Sequence, residues 1–342
     1  ANTFKDKYKV KNSIVIKNEA ETFFYNLKKN NNLNCKYLNN LFDNNELVSE
    51  NNFQADLGEL PFPDWESYVK EYPLRNDFFD LKEKIAIPIL ATRGCPYSCF
   101  NYCTYPLQQG RKVRARSPKE IVGEIKYWIE KLNTKKFVFR DPVFSINKKH
   151  TIELCEELIK ENLNISYLIE THLNNLDDDM ISLLYKSGLK MVYVGIESAD
   201  TSVLKDINRF TIQADEQYQI IKKLESIGIV VKSMFMFGNP EDSEKSIKET
   251  INYAKFLPNL FSQFSIFTPY PGTPIFNKFK DIIIEKKLEN FNQYKLTFNH
   301  KNFSVEKIEK LKKLAYLKFY LDFKKIYKIL KFFITSKYGI KT

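Results

Sequence analysis

From Ile85 onward the chain alternates two apolar patterns: short runs rich in β-branched and aromatic residues, then longer stretches with apolar side chains at helical spacing. That alternation predicts repeated βα units and a parallel sheet. Six strands are expected, at Ile85 to Thr92, Lys136 to Arg140, Ile165 to Glu170, Met191 to Ile196, Ile229 to Phe237 and Phe261 to Thr268. Ser117-Pro118 opens a helix that carries Ile121, Ile125 and Trp128, with Glu120 placed as in a capping box. Further helices are expected near 148–161, 177–187, 213–227 and 243–256.

The flanks differ from this body. Before it lie a short strand at Ser13 to Ile16, a helix near 19–30, and an asparagine-rich stretch ending in Leu60-Pro-Phe-Pro-Asp-Trp65, whose prolines make an extended linker. After it, Ser304 caps a pattern that predicts one amphipathic helix through Phe332, with Ile308, Leu311, Ala315, Phe319 and Ile326 on its apolar side. The expected division is therefore 1–84, 85–276 and 277–342.

Charge sharpens that division. The chain of 342 residues has a net charge of +11, and residues 277–342 hold 17 lysines against 6 acidic residues, so the excess sits in the C-terminal extension. The first fifteen residues contain no apolar signal core and no run reaches membrane-spanning length, so a cytoplasmic protein is expected. The chain starts at Ala1 instead of methionine, as a fragment or a processed product would.

Five cysteines stand at 35, 95, 99, 103 and 155. Their odd number and the crowding of three within nine residues are unlike a disulfide framework and point to a reducing compartment. The crowded three follow the first strand, in Arg93-Gly-Cys95-Pro-Tyr-Ser-Cys99-Phe-Asn-Tyr-Cys103, where a βα-barrel places its chemistry. Three thiolates can hold a cubane iron-sulfur cluster and leave one iron open to a chelating substrate. A closed zinc site would need a fourth ligand, Cys155 or His150. Three inert thiols are the remaining alternative, though a polar loop containing proline is poor core material.

The loop resembles that of the radical S-adenosylmethionine superfamily, usually C-x3-C-x2-C with an aromatic before the last cysteine. Here the spacing is C-x3-C-x3-C, and Tyr102 keeps the aromatic position. The likeness extends over about residues 10–332 and is closest to the cobalamin-type branch. It includes Thr104 to Pro118, Phe139-Arg-Asp141-Pro-Val-Phe144, Glu170-Thr-His172, Gly195-Ile-Glu197-Ser198 and Pro269 to Pro274. Phe237-Gly238-Asn-Pro240-Glu-Asp242 departs from the usual Gly-x-Pro-Gly-Glu. Taken alone, Glu197 reads as a surface carboxylate, Asp141 as a helix cap and Arg209 as a solvated cation.

The resemblance implies an α/β fold, a partial (β/α)6 TIM-like barrel with a short N-terminal αβ remnant of a cobalamin domain and a C-terminal helical extension. It implies a 4Fe-4S cluster on Cys95, Cys99 and Cys103, and S-adenosylmethionine near Tyr102, Glu197, Ser198, Arg209 and Gly238. Asp141, Glu170 and His172 are implied at the same mouth, for substrate contact or proton transfer. Cobalamin is expected only if a further N-terminal domain is supplied. The implied activity is reductive cleavage of S-adenosylmethionine to start methyl transfer, cyclisation or rearrangement on a small-molecule or lipid-like substrate, with flavodoxin or ferredoxin as electron donor. An RNA-modifying enzyme and a non-catalytic binding barrel are the alternatives. Nucleic acid is not the expected partner; the C-terminal helix is expected to pack on the barrel, with peripheral contact with a membrane as the alternative.

Overall fold

In the computed structural model the described residues are 19–21, 23, 24, 53, 56–71 and 85–335. The expected strand Ser13 to Ile16, most of the helix near 19–30, and Cys35 lie outside them. Among the described residues eight strands follow in chain order: β1 (Ile87–Ile89), β2 (Thr92–Arg93), β3 (Arg114–Ala115), β4 (Lys136–Phe139), β5 (Ser166–Thr171), β6 (Leu189–Glu197), β7 (Val230–Phe237) and β8 (Phe261–Ile266). The main sheet has the order β1-β4-β5-β6-β7-β8 and every pair in it is parallel. Helices Pro118–Leu132, Lys148–Glu161, Asp178–Ser187, Ala214–Ser226 and Glu244–Phe256 make the crossovers. β1 and β8 are edges, so this is the expected partial barrel of six βα units.

Local chemistry sets the helix starts. Ser117 and Glu120 form the expected capping box, and Asn147, Asp177 and Ser243 each accept from a first-turn N–H. Inward side chains such as Ile121, Ile125, Leu154, Leu184, Ile221 and Ile251 then pack on the sheet, all nearly inaccessible to solvent. Burying each is worth about 1.5–3 kcal/mol.

The first strand is not the single run expected. β1 stays in the main sheet for three residues, and β2 then leaves it to pair antiparallel with β3. Asp141, beyond β4, makes the change of direction possible. Its buried carboxylate accepts from the N–H groups of Ala91 and Thr92 and from the Thr92 hydroxyl at 2.6 Å, replacing ladder bonds that the departing strand gives up.

The C-terminal extension also differs from the expectation of one helix. Val305–Tyr320 and Phe323–Thr335 are separate helices, broken at Leu321 and Asp322. Asp322 Oδ1 accepts from the N–H of Lys324 and of Lys325, an N-cap that the lysine-rich pattern concealed. Ile308, Leu311, Ala315 and Phe319 are buried against the barrel as expected, whereas Ile326 is only half-buried. The second helix sets Ile329 and Phe332 against Ala86, Val138, Leu168, Met191, Val230 and Leu260, a layer at the amino ends of the strands. It therefore closes the floor of the barrel, opposite the cysteine loop.

On the N-terminal side Glu19 is buried and accepts two hydrogen bonds of 2.8 Å from Arg114, while Arg93 reaches Glu19 at 3.4 Å and Glu21 at 2.7 Å. Glu19 is thus pinned to the β2-β3 ribbon.

Candidate active site

The cysteine loop leaves β2 through Gly94, whose φ is +100° and where a Cβ would stand 2.1 Å from the Lys112 carbonyl oxygen. Only glycine meets both demands. The loop is then tied down by Cys95 N–H donating to Gly110 O at 3.1 Å and forms a 3-10 turn at Ser98–Asn101.

The unusual spacing has a simple geometric consequence. Cys103 N–H donates to Cys99 O at 3.1 Å, so these cysteines stand one helical turn apart, and four-residue separation places them on one side of the turn. Their thiols are hydrogen-bonded to each other. That bond and the Arg209 guanidinium draw the Cys99 thiol down to about 6 against the effect of burial, while the same bond pushes Cys103 up. Burial raises Cys95. Cys95 and Cys99 are buried and Cys103 is half-buried.

These residues fit an iron-sulfur cluster. The sulfurs of Cys95 and Cys103 receive backbone N–H groups, from Tyr97 and Tyr105, which stabilise negative charge on thiolate ligands. Among the described residues, no three His, Cys, Asp or Glu side chains group tightly enough to hold a single metal ion. A cubane asks for a different arrangement, one thiolate on each of several irons. The zinc alternative also lacks its fourth ligand. Cys155 is in the core, 4.0 Å from the Tyr167 hydroxyl, and His150 Nε2 is engaged with Arg116 O at 2.7 Å.

Arg209 organises the other side. It is buried, not solvated, and its Nη1 lies 2.7 Å from His172 Nε2 while Nη2 donates to Gly195 O at 2.7 Å and faces Glu197 Oε1 at 3.7 Å. Burial opposes the guanidinium charge, but Glu197, Tyr102 and Cys99 outweigh it and raise the pKa. Gly195 is required for this approach, because a Cβ there would meet Arg209 Nη2 at 2.6 Å. Glu197 follows a register shift in β6 and holds a φ of +67°, a sparsely populated conformation for a side chain of this kind. Burial raises its pKa, against the pull of Arg209. His172 is driven down to about 2 by burial and by Arg209, so its ring is neutral and Nε2 accepts.

The remaining candidates divide. Tyr102 lies near Glu197 and Arg209, 5.8 Å from the Phe267 ring, and lines a cavity of about 130 Å³ with Asp206, Ile207, Pro240 and Ile275. Glu170 accepts from the Tyr105 hydroxyl at 3.5 Å, and burial raises its pKa. Asp141 is committed to Ala91 and Thr92 and does not open on the mouth. Ser198 is buried, its hydroxyl paired with that of Thr250 at 3.2 Å. At Gly238 a Cβ would meet Leu296 and Ile308 at 3.5 Å, so that position faces the C-terminal segment. Residues not anticipated are Gly195, Tyr105 and Tyr97, whose ring stacks on His172 at 4.3 Å. All three lie in stretches that carry the resemblance: Gly195 two residues before Glu197, Tyr105 directly after Thr104 and Tyr97 within the cysteine loop.

The Radical SAM superfamily model matches residues 89–254. Over 225 residues the chain is 31% identical to bacteriochlorophyllide d C-12(1)-methyltransferase of Chlorobaculum tepidum, covering 65% of this chain and 49% of that protein. It is 28% identical over 231 residues to the anaerobic magnesium-protoporphyrin IX monomethyl ester cyclase of Rubrivivax gelatinosus, covering 67% and 40%. The chain thus spans about half or less of the length of these curated relatives. In structure it is similar to TsrM of Kitasatospora setae, a radical S-adenosylmethionine methyltransferase with cobalamin and a 4Fe-4S cluster bound, with a TM-score of 0.54 and 18% identity over 58% of this chain and 37% of that one. The match begins in β1, contains the whole cysteine loop and runs on into the last crossover helix, so residues 89–254 make up a radical S-adenosylmethionine domain.

Proposed function

We propose that this chain is the radical-generating core of an enzyme that acts on a small-molecule or lipid-like substrate. The observation that carries the reading is the meeting of Arg209 with Cys99 at the carboxyl end of the sheet, which sets a buried cation beside a thiol loop. Cys95, Cys99 and Cys103 would hold a 4Fe-4S cluster, which when bound supplies the electron for reductive cleavage of S-adenosylmethionine.

The protein's own part is placement and exclusion of water. Arg209 would neutralise the methionine carboxylate, held at the correct angle by His172 and Gly195. Glu197 is placed to receive the ammonium group or a ribose hydroxyl, and Tyr102 would pack beside the adenine in the cavity it lines. Glu170, whose pKa burial raises and whose carboxylate accepts from the Tyr105 hydroxyl, is the candidate for proton transfer. Asp141 serves instead as a positioning residue for the strand that launches the loop.

Methyl transfer and ring closure lead the reaction classes, since methyltransferases and cyclases are among the relatives. An electron donor such as flavodoxin or ferredoxin, a cytoplasmic location and peripheral contact with an anionic membrane surface complete the reading. Anaerobic reconstitution with iron and sulfide, followed by an assay for 5′-deoxyadenosine, tests it. Product formation supports the enzyme; a loaded protein that makes none supports a binding barrel.

A further inference from the structure

A second cavity, of about 230 Å³, lies between the linker that precedes the barrel and β1, the first edge of the sheet. Its walls are apolar, built by Leu57, Leu60, Pro61, Pro63, Ile89 and Leu90. Its polar lining is mostly cationic: Arg93, Arg116 and Arg140 stand against Glu124 alone.

The partners of these groups decide what the cavity could take. Arg93 is occupied by Glu19 and Glu21. Arg116 is held by Glu124 at 2.5 Å and by Leu90 O at 3.2 Å, and Glu124 also accepts from the Trp128 indole at 3.3 Å. Two donors are left. The Arg140 guanidinium makes no hydrogen bond or ion pair among the described residues, and Trp65, which lines the same cavity, has an indole N–H that is buried without an acceptor. A buried indole N–H without an acceptor, beside a solvent-facing guanidinium at the mouth of an apolar chamber, suits a ligand that brings acceptors and an apolar body.

We infer that this cavity is a binding site for a small organic acid, whose carboxylate pairs with Arg140 and Trp65 while its hydrocarbon body rests on the prolines and leucines. A guanidinium matches a carboxylate through two parallel hydrogen bonds, which a compact ammonium cannot do. Inorganic phosphate would leave the apolar wall uncovered, and a neutral ligand would draw nothing from the Arg140 charge. The site is separate from the cysteine loop but shares its end of the sheet, since Arg140 directly follows β4 and its charge is felt by Glu170 and Tyr105. The inference does not depend on radical chemistry.

The chain has 2 tryptophans, Trp65 and Trp128, so Trp128→Phe leaves Trp65 as the sole indole reporter in the full chain. Cyclohexanecarboxylate should change its emission saturably, and cyclohexylmethanol and inorganic phosphate should not. Arg140→Gln should weaken the carboxylate roughly tenfold or more, and Arg140→Lys by less. Arg140 is exposed, so its replacement leaves folding intact, which circular dichroism confirms. No saturable response, equal affinity in the glutamine variant, or phosphate binding as tightly as the carboxylate would each overturn the assignment.

Discussion

Arg209 Nη1 lies 2.7 Å from the Nε2 of a neutral His172, which accepts its hydrogen bond and in turn stacks on Tyr97 of the cysteine loop at 4.3 Å. The histidine thus links the loop to the buried cation and is a positioning residue. His172→Ala should raise the KM for S-adenosylmethionine about tenfold, with cluster content unchanged, because the guanidinium loses one of its fixed partners. His172→Gln, which can still accept, should restore much of that loss. Equal KM values in wild type and both variants would remove the role.

The three loop cysteines should be separable from Cys155 by spectroscopy. Cys99→Ala should abolish the broad visible absorption of the reconstituted cluster, since it leaves two loop thiolates where three are expected to hold the irons. Cys155→Ala should keep that absorption, because Cys155 is sealed in the core, where burial lifts its thiol to about 11. Retention in the first variant and loss in the second would reverse the ligand assignment.

Asp141 gives a pH signature of the strand that carries the loop. Burial outweighs the hydrogen bonds it accepts from Thr92 and Ala91 and lifts its pKa from 3.8 to about 6. Between those values the native state holds a proton that the unfolded chain has released, so stability falls as pH rises through that window and levels off above it. The span corresponds to about 3 kcal/mol at most. Asp141→Asn should flatten the profile in denaturant titrations from pH 4 to 6, and parallel profiles for the two proteins would refute the assignment.

The sheet was legible because its periodicity is strong: the Met191 to Ile196 and Ile229 to Phe237 patterns fall within β6 and almost wholly within β7. The branching of Ile85 to Thr92 into β1 and β2 was not, since it depends on the Asp141 carboxylate fifty residues away in sequence. At the site, the cysteine spacing pointed to its own chemistry. Arg209 carried no such mark, because its burial arises from His172, Gly195 and Glu197 meeting across three segments. Ser198 and Gly238 stand beside motif residues in the text, yet the side chain of one and the open face of the other turn elsewhere.

Hydroxocobalamin should not bind this chain stoichiometrically by itself. All three histidines are already engaged: His150 with Arg116 O, His172 with Arg209, and His300 Nε2 with Asn239 O at 2.8 Å. An axial ligand would have to be drawn out of one of these contacts. Equilibrium dialysis with the cluster in place is the measurement, and one bound corrin per chain would mean that the barrel holds cobalamin directly.

The second C-terminal helix should bind anionic bilayers. Its inner face is spent on the barrel floor through Ile329, Phe332 and Lys325, whose ammonium donates to Leu257 O and Asn259 O. The outer face carries Phe323, Tyr327, Leu330 and Ile334, which are 89%, 69%, 56% and 78% exposed and recur at helical spacing as a single stripe. Exposed Lys324 and Lys331 edge that stripe, and the helix contains no acidic residue. A second copy of so basic a segment would repel the first, and an RNA backbone would leave the aromatic stripe uncovered. An anionic lipid surface satisfies both, each lysine contributing about 1 kcal/mol near it. Among the described residues no helix is long and apolar enough to cross a membrane, so the contact expected of this helix is peripheral. Co-sedimentation with vesicles containing phosphatidylserine should be strong at low salt and weak at high salt, and absent with purely zwitterionic lipid. Replacing Phe323 and Tyr327 together by serine should reduce it several-fold without loss of fold, because neither side chain is buried in the barrel. Equal binding by that variant, or none by the wild type at low salt, would remove the membrane from the partners of this protein.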